Sequence, residues 1–195
     1  MATVFTYAET GANSGPDPGV AYTYTAPTSV AEVRKNRLFY SKLDQPEAVP
    51  LINFEDIGAS THAIHKIYPL RDKLYVFKAD GIFVLSGQAP FRVDCLDPTV
   101  YLPAQYYGRT VASVANQLYA YTNQGVVAVS DAGVAVVSRP IEDLLLTTSV
   151  PGIGAITSGL FGISYEKHHQ YIMQGNALDG TNGLYIYNVL LNNWT

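Results

Sequence analysis

Short apolar runs that do not alternate with polar residues constrain the fold of this chain more than any other feature of the sequence. They occupy residues 74–77, 82–85, 118–121, 126–129, 134–137 and 184–187. Runs this short, rich in Val, Ile and Tyr and bounded by turn residues, are typical of β-strands. Because both sides of each run are apolar, we expect every such strand to be covered on both faces. The sequence therefore predicts an all-β chain of sheets stacked face to face.

Glycine-containing turns separate these runs and indicate hairpins. Residues 79–81 (ADG) separate the first two runs, residues 123–125 (NQG) separate the next two, and residues 130–133 (SDAG) precede the fifth. Each turn ends on a glycine, the residue that adopts positive φ at least cost. Consecutive runs are therefore predicted to pair antiparallel.

An internal repeat emerges when the runs are aligned. Residues 36–40 (NRLFY) match residues 72–76 (DKLYV) and 116–120 (NQLYA), and more loosely residues 169–172 (HQYI). The aromatic residues taken as equivalent are Phe39, Tyr75, Tyr119 and Tyr171. Repeats of roughly 40–50 residues with several strands each are typical of propeller blades. The pattern predicts a β-propeller-like fold with about four visible blades, forming an incomplete ring; a β-sandwich with hairpins of similar length is the alternative.

The first 33 residues differ in composition from the rest. Residues 11–19 are rich in Gly, Pro, Asn and Asp and favour a loop, and residues 25–29 have the composition of a linker. We therefore predict an N-terminal arm or hairpin over residues 1–33 and a propeller-type β domain over residues 34–195.

Charge and cysteine content exclude several classes of protein. The formal net charge is −4, which argues against a broad cationic face for nucleic acid. No apolar run approaches the length of a transmembrane helix, and the N-terminus lacks the pattern of a signal peptide. The single cysteine, Cys95, excludes an internal disulfide and is expected to be a small buried hydrophobe.

The sequence contains no pattern that predicts catalysis. His62 and His65 form an H-x-x-H pair without the glutamate of a zinc-protease motif, so surface histidines are the favoured interpretation. The adjacent carboxylates Glu55 and Asp56 would point to opposite faces of a strand rather than across a cleft. We therefore predict no enzyme activity, catalytic residue, metal or cofactor, although a propeller glycosidase with paired carboxylates from different blades stays an alternative.

Tyrosines in the predicted loops are the candidate interface residues. Tyrosine offers a large apolar surface and a polar tip, which makes it common where proteins meet. The candidates are Tyr22, Tyr24, Tyr101, Tyr106 and Tyr107. The alternative is that these rings pack on their own blades.

Several segments together resemble β-propeller tail proteins of short-tailed bacteriophages. Residues 36–47 (NRLFYSKLDQPE) look like that family's "NRL…YSK…P" segment, and residues 93–98 (VDCLDP) resemble its "GC.NP" step, with Asp94 in place of the usual glycine. Residues 139–142 (RPIE) and the ending at residues 184–194 are similar to later segments. The resemblance covers residues 34–195 by pattern and order.

This resemblance implies a structural function. It implies a virion protein of the tail nozzle or hub, below the portal and adaptor, that assembles into a ring, typically a hexamer, around the DNA exit channel. Its partners would be copies of itself and other tail proteins, including fibres, with DNA passing transiently and without membrane insertion. With a net charge of −4, the lumen is predicted to be neutral or negative, so that it does not hold DNA. The alternative function is a carbohydrate- or receptor-binding propeller module.

Overall fold

The chain divides into two compact units, Met1–Val33 and Arg34–Thr195. A computed structural model describes residues 5–7, 22–24, 34–145, 156–177 and 182–195. In the first unit, strand β1 (Phe5–Tyr7) pairs antiparallel with β2 (Tyr22–Tyr24). The other strands that the structure describes belong to the second unit.

The second unit is built from one two-stranded sheet and three four-stranded sheets. β3 (Arg37–Phe39) pairs with β4 (Phe54–Asp56). The first sheet contains β5 (Ile64–Leu70), β6 (Lys73–Lys78), β7 (Gly81–Ser86) and β8 (Arg92–Asp97). The second sheet contains β9 (Ala112–Val114), β10 (Gln117–Thr122), β11 (Gly125–Ser130) and β12 (Gly133–Val136). The third sheet contains β13 (Ile156–Tyr165), β14 (Gln170–Ala177), β15 (Asn182–Asn188) and β16 (Asn193–Trp194).

Strand order within each four-stranded sheet follows the chain, and every pairing is antiparallel. Such up-and-down sheets need only short connections, which the predicted glycine turns provide. Gly81, Gly125 and Gly133 have φ of +142°, +93° and +123°. Each pairs with the last residue of the preceding strand, so each completes a tight hairpin. The predictions of an all-β chain and of these hairpins are confirmed.

The central strands of the first sheet are buried on both faces, as their composition predicted. Tyr75 and Phe77 of β6 belong to the main hydrophobic core, together with Ile82 and Val84 of β7. The residues between them on the same strands, including Val76 and Phe83, form a second core with Ile57 and Leu38. Successive residues of a strand point to opposite faces, so this sheet packs between β3–β4 and the second sheet.

The second sheet in turn packs between the first and the third. On one side, the hydroxyl of Tyr68 in the first sheet lies 3.1 Å from that of Ser113. On the other side, the ring of Tyr119 stacks on Tyr171 with 5.5 Å between centroids. The third sheet is further joined to the second where the indole Nε1 of Trp194 donates to the carbonyl oxygen of Val137. The sheets therefore form one stack in chain order.

The structure corrects two positions of the predicted repeat. Phe39 is 46% exposed and faces away from the first sheet, because its neighbour Leu38 packs on that sheet's second core. Tyr75 and Tyr119 are each the third residue of their strand, whereas Tyr171 is the second residue of β14. The third residue of β14 is Ile172. Because a shift of one residue reverses the face, Tyr171 points back toward the second sheet while Tyr75 and Tyr119 point toward the sheet that follows them. Ile172 is therefore the structural equivalent of Tyr119.

Helical segments are short. Those in the described residues are the α-helix α1 (Glu142–Leu145) and the 3₁₀ helices Gln105–Thr110, Arg139–Ile141 and Glu166–His168. None of the helices in the described part of the chain has the length and hydropathy needed to cross a bilayer.

Candidate functional site

The five tyrosines singled out from the sequence do not form one surface. Tyr106 is 42% exposed, whereas Tyr107, its neighbour in the 3₁₀ helix Gln105–Thr110, is 2% exposed and belongs to the main core. Tyr107 therefore has no surface to offer a partner. Tyr101 is half-buried, and its backbone exchanges hydrogen bonds with Asn123.

The remaining two candidates lie in the first unit. Tyr22 and Tyr24 are the first and last residues of β2. Their side chains lie outside the described residues, so their assignment to an interface stays a prediction. Of the five tyrosines, Tyr106 is thus the described side chain most open to a ligand.

Tyr106 borders a cleft between β5 and the 3₁₀ helix Gln105–Thr110. The cleft has a volume of about 440 Å³ and is lined by His65, Lys66, Gln105, Tyr106, Gly108 and Arg109. Gly108 lies where the 3₁₀ helix comes nearest to β5. A Cβ at this position would lie only 3.1 Å from the carbonyl oxygen of His65 and from the Cβ of Lys66. The helix can therefore approach β5 closely.

The charge of this cleft is positive and uncompensated. Most basic side chains of the second unit are paired with carboxylates, as in Arg37–Asp56, Lys73–Asp131 and Arg139–Glu142. Within the described residues, Lys66 and Arg109 form no ion pair. Two free cations beside a tyrosine and an amide can bind a carboxylate, a sulfate or a phosphate.

His65 adds a neutral polar group to the cleft. Burial lowers the pKa of its imidazole, which favours the uncharged ring near neutral pH. Its Nδ1 is buried and has no hydrogen-bond partner among the described residues. His62, the other member of the H-x-x-H pair, is exposed and bonds through Nδ1 to the hydroxyl of Thr61 at 3.0 Å. Across the described ranges, no group of three or more His, Cys, Asp or Glu side chains is placed to hold a metal ion.

The expectation for Cys95 was wrong. Its side chain is exposed on β8 rather than buried. Neighbouring residues still desolvate the sulfur atom in part, and this desolvation, with the negative charges of Asp97 and Asp80, raises the pKa of the thiol. The thiol form is therefore favoured, which makes Cys95 a poor nucleophile in spite of its exposure.

Two groups of exposed apolar side chains, one at each end of the stack, were not predicted from the sequence. All but two of the exposed large apolar side chains in the described residues lie at an end of the stack; the exceptions are Ile67 and Tyr106. At one end, on or beside β3–β4, are Phe39, Leu43, Val49, Leu51 and Ile52. At the other, in the third sheet and its last turn, are Phe161, Ile163, Tyr165, Leu184, Leu190 and Leu191. The sequence does not reveal this exposure, because several of these side chains lie in turns and the others are apolar residues like those of the covered strands.

Comparison with known proteins adds no assignment. No protein-family model matches the sequence, and no curated protein is significantly similar to it. Function must therefore be argued from the resemblance noted in the sequence and from the geometry.

Proposed function

We propose that this chain is a structural component of a bacteriophage tail, of the nozzle or hub type below the portal and adaptor. In this proposal, Arg34–Thr195 is a β-propeller-type module whose three four-stranded sheets, with β3–β4, act as about four blades. The protein would form part of the wall of the DNA ejection channel and of the seal that retains the genome.

The way in which the sheets meet supports the propeller interpretation. The first strands of successive sheets lie on the same side of the stack, where the 3₁₀ helix leading into β9 contacts both β5 and β13. The contact with β13 is so close that a Cβ at Gly162 would overlap the carbonyl oxygen of Thr110. In a propeller the innermost strands converge in this manner around a common axis.

The exposed apolar side chains at the two ends of the stack are the main support for a role in assembly. Apolar side chains are concentrated at both ends, whereas the middle sheets are covered on both faces. Contiguous exposed apolar surface marks sites of protein association. A module of this kind needs no covalent chemistry, because rigid packed sheets and their contacts with neighbours supply the function.

The charge distribution is consistent with transient passage of DNA. A protein that neutralises many phosphates releases counterions and gains affinity with each contact. The chain has a net charge of −4, and most basic side chains of the second unit are neutralised by carboxylates. DNA would therefore pass without being held.

The location of the protein in the virion tests this proposal. Gold-labelled antibody against the chain should mark the tail, near its junction with the capsid, in electron micrographs of purified particles. The tagged chain should also copurify with the products of neighbouring genes when they are expressed together. Absence of the chain from virions, as measured by mass spectrometry of purified particles, would refute the proposal.

The cleft between β5 and the 3₁₀ helix Gln105–Thr110 favours a second candidate function. An exposed tyrosine beside the free cations Lys66 and Arg109 suits an acidic sugar, with the ring against the sugar face and the cations on its carboxylate or sulfate. A glycan screen with the native chain and with Lys66→Ala/Arg109→Ala distinguishes the two. The control is Lys42→Ala, because Lys42 is an exposed lysine between β3 and β4 and does not line the cleft. Binding to acidic glycans that the double variant loses and Lys42→Ala retains would support a receptor-binding module.

A further inference from the structure

A β-bulge brings a lysine of β5 to the cleft beside the 3₁₀ helix Gln105–Thr110. The register of β5 against β6 shifts after Ile64, which leaves His65 as an extra residue. In a regular ladder His65 would oppose Phe77, but Lys66 takes that place. Phe77 belongs to the main core, so Lys66 points toward the second sheet and the 3₁₀ helix. Bulges of this kind re-aim side chains and are frequent beside functional sites.

The 3₁₀ helix presents an aromatic ring and a guanidinium group on one side. Side chains three residues apart in such a helix lie one above the other, about 6 Å apart along its axis. Tyr107 and Thr110 form the buried side, which fixes the helix to the core. Tyr106 and Arg109 form an exposed side, and both line the cleft. A ligand in the cleft can therefore contact the ring and the charge together.

Packing holds the ring of Tyr106 in position. It lies 4.9 Å from the ring of Tyr107, which is itself fixed in the core by stacking on Tyr121. The ring of Tyr106 nevertheless stays 42% exposed. A positioned and exposed aromatic surface suits the apolar face of a sugar ring. The cleft volume of about 440 Å³ lies at the small end of the range for ligand sites, which favours one sugar unit over a long chain.

The charged groups of the cleft come from two walls. Lys66 belongs to β5 and Arg109 to the 3₁₀ helix, and none of the described residues that line the cleft is acidic. His65 adds no positive charge near neutral pH, because burial lowers the pKa of its imidazole. A carboxylate has two oxygens in one plane, so it can receive the fork of an arginine on one side and an ammonium group on the other. A sulfate directs its oxygens to three sides, and the cleft offers a cation to two of them.

We propose that this cleft binds a single sugar unit that carries a carboxylate on its ring, of the uronic acid class. Arg109 and Lys66 hold the carboxylate, and Tyr106 packs against the face of the ring. Gln105, whose amide is exposed in the same cleft, offers hydrogen bonds to the ring hydroxyls. This inference goes beyond the tail function. It rests on the second candidate function, for which it names the ligand class and the residues that select it.

Chemical-shift titration of the full native chain by nuclear magnetic resonance tests this inference with three probes of similar shape. Methyl glucuronide carries the carboxylate, its amide has the same planar group without the charge, and methyl glucoside 6-sulfate carries a sulfate instead. Methyl glucuronide should bind at least tenfold more tightly than either of the others, because it alone matches both cations with two planar oxygens. Equal affinity for the glucuronide and its amide, or for the glucuronide and the sulfate, would overturn the inference.

An arginine variant separates the fork from the charge. Arg109→Lys keeps the positive charge and loses the fork, so it should weaken the binding of methyl glucuronide about tenfold. Arg92→Lys is the matched control, because Arg92 is an exposed arginine of β8 that does not line the cleft, and it should bind like the native chain. Circular dichroism establishes that both variants are folded. A folded Arg109→Lys variant with native affinity would contradict the assigned role of Arg109.

Two variants of Tyr106 test the contact with the sugar ring. Tyr106→Phe keeps the aromatic face and should keep most of the affinity, whereas Tyr106→Ala removes the face and should weaken binding about tenfold. Equal affinities of the two variants would show that the ring does not contact the sugar.

The outcomes separate this inference from the functions proposed above. A native chain that binds sulfated glycans as tightly as carboxylated ones rejects only the carboxylate assignment and leaves the receptor-binding module. A chain that binds no acidic glycan rejects both. Neither outcome bears on the tail location, which antibody labelling of virions measures independently.

Discussion

The rings of Tyr106 and Tyr107 lie 4.9 Å apart between centroids, yet Tyr106 is 42% exposed and Tyr107 only 2% exposed. Tyr107 stacks on Tyr121 with an interplanar angle of 12°, which fixes it in the core. Tyr106 lines the cleft instead. Two adjacent and identical residues therefore have different roles.

This difference predicts unequal effects of truncation. Tyr107→Ala should lower the free energy of unfolding by about 3–5 kcal/mol, because it removes a buried aromatic ring and leaves a cavity. Tyr106→Ala should lower the free energy of unfolding by less than about 1.5 kcal/mol, because its exposed ring contributes little more than its contact with Tyr107, and such a contact between aromatic rings contributes at most about that much. Urea denaturation of both variants measures these values, and equal losses would contradict the assignment of Tyr107 to the core.

Lys78 is expected to be a major determinant of stability. Its side chain is fully buried, and Nζ donates to the carbonyl oxygens of Ile57 at 2.6 Å and Ala59 at 3.1 Å while lying 3.0 Å from Asp80. Lys78→Met leaves the Asp80 carboxylate and both carbonyls without this donor, so we expect a loss of about 3–5 kcal/mol in urea denaturation.

The control for Lys78 is Lys73→Met on the same strand. Lys73 pairs with Asp131 at 2.8 Å, but both side chains are partly exposed. An exposed ion pair contributes at most about 1 kcal/mol, so this variant should unfold close to the native midpoint. A Lys78→Met variant as stable as Lys73→Met would show that the buried pair does not hold residues 57–59 in place.

Gly162→Ala tests the close approach of the third sheet to the 3₁₀ helix. The added methyl group would overlap the carbonyl oxygen of Thr110, and both partners are backbone, so neither can rotate away. Overpacking of this kind costs about 1–3 kcal/mol. Ser164→Ala, at an exposed position on the same strand, should change the free energy of unfolding by less than about 0.5 kcal/mol. Thermal unfolding of the two variants provides the comparison.

Alkaline pH should destabilise the fold through its buried tyrosines. Burial is the main cause that raises the pKa of Tyr75, Tyr107 and Tyr119 from 10.0 to about 12. For Tyr75, the hydrogen bond and negative charge of Asp131 add to this effect. Below pH 10 these phenols are protonated in both states, and their contribution to stability is fully present.

As the pH rises from 10 to about 12, the unfolded chain loses these protons first, so the free energy of unfolding falls. Urea midpoints measured across this interval should decline, and Tyr119→Phe should make the decline shallower. In the folded protein, phenolate absorbance should show that some tyrosines titrate at higher pH than the rest. In urea, all tyrosines should titrate together. If all tyrosines titrate together while the protein stays folded, the pKa assignment is wrong.

The sequence predicted the hairpins well because they depend on local chemistry. Apolar runs separated by turns that end on Gly81 and Gly125 can form little else than paired strands. It was less informative for β5 and β8, in which charged residues interrupt the apolar pattern. The cleft was missed because Lys66 and Arg109 are far apart in the chain, and only the packing of the 3₁₀ helix on β5 brings them together.

The sequence by itself determined the all-β class and the antiparallel hairpins, since short apolar runs and glycine turns act over a few positions. Its prediction of cover on both faces is right for residues 118–121 and 126–129 and wrong for residues 184–187, where Leu184 is 62% exposed. Only the tertiary structure decided which faces are covered. It exposed Cys95, placed Tyr107 in the core, and gave Ile172 rather than Tyr171 the position equivalent to Tyr119. Covering a face depends on what packs across it from elsewhere in the chain, and an apolar strand has the same composition whether or not that neighbour is present.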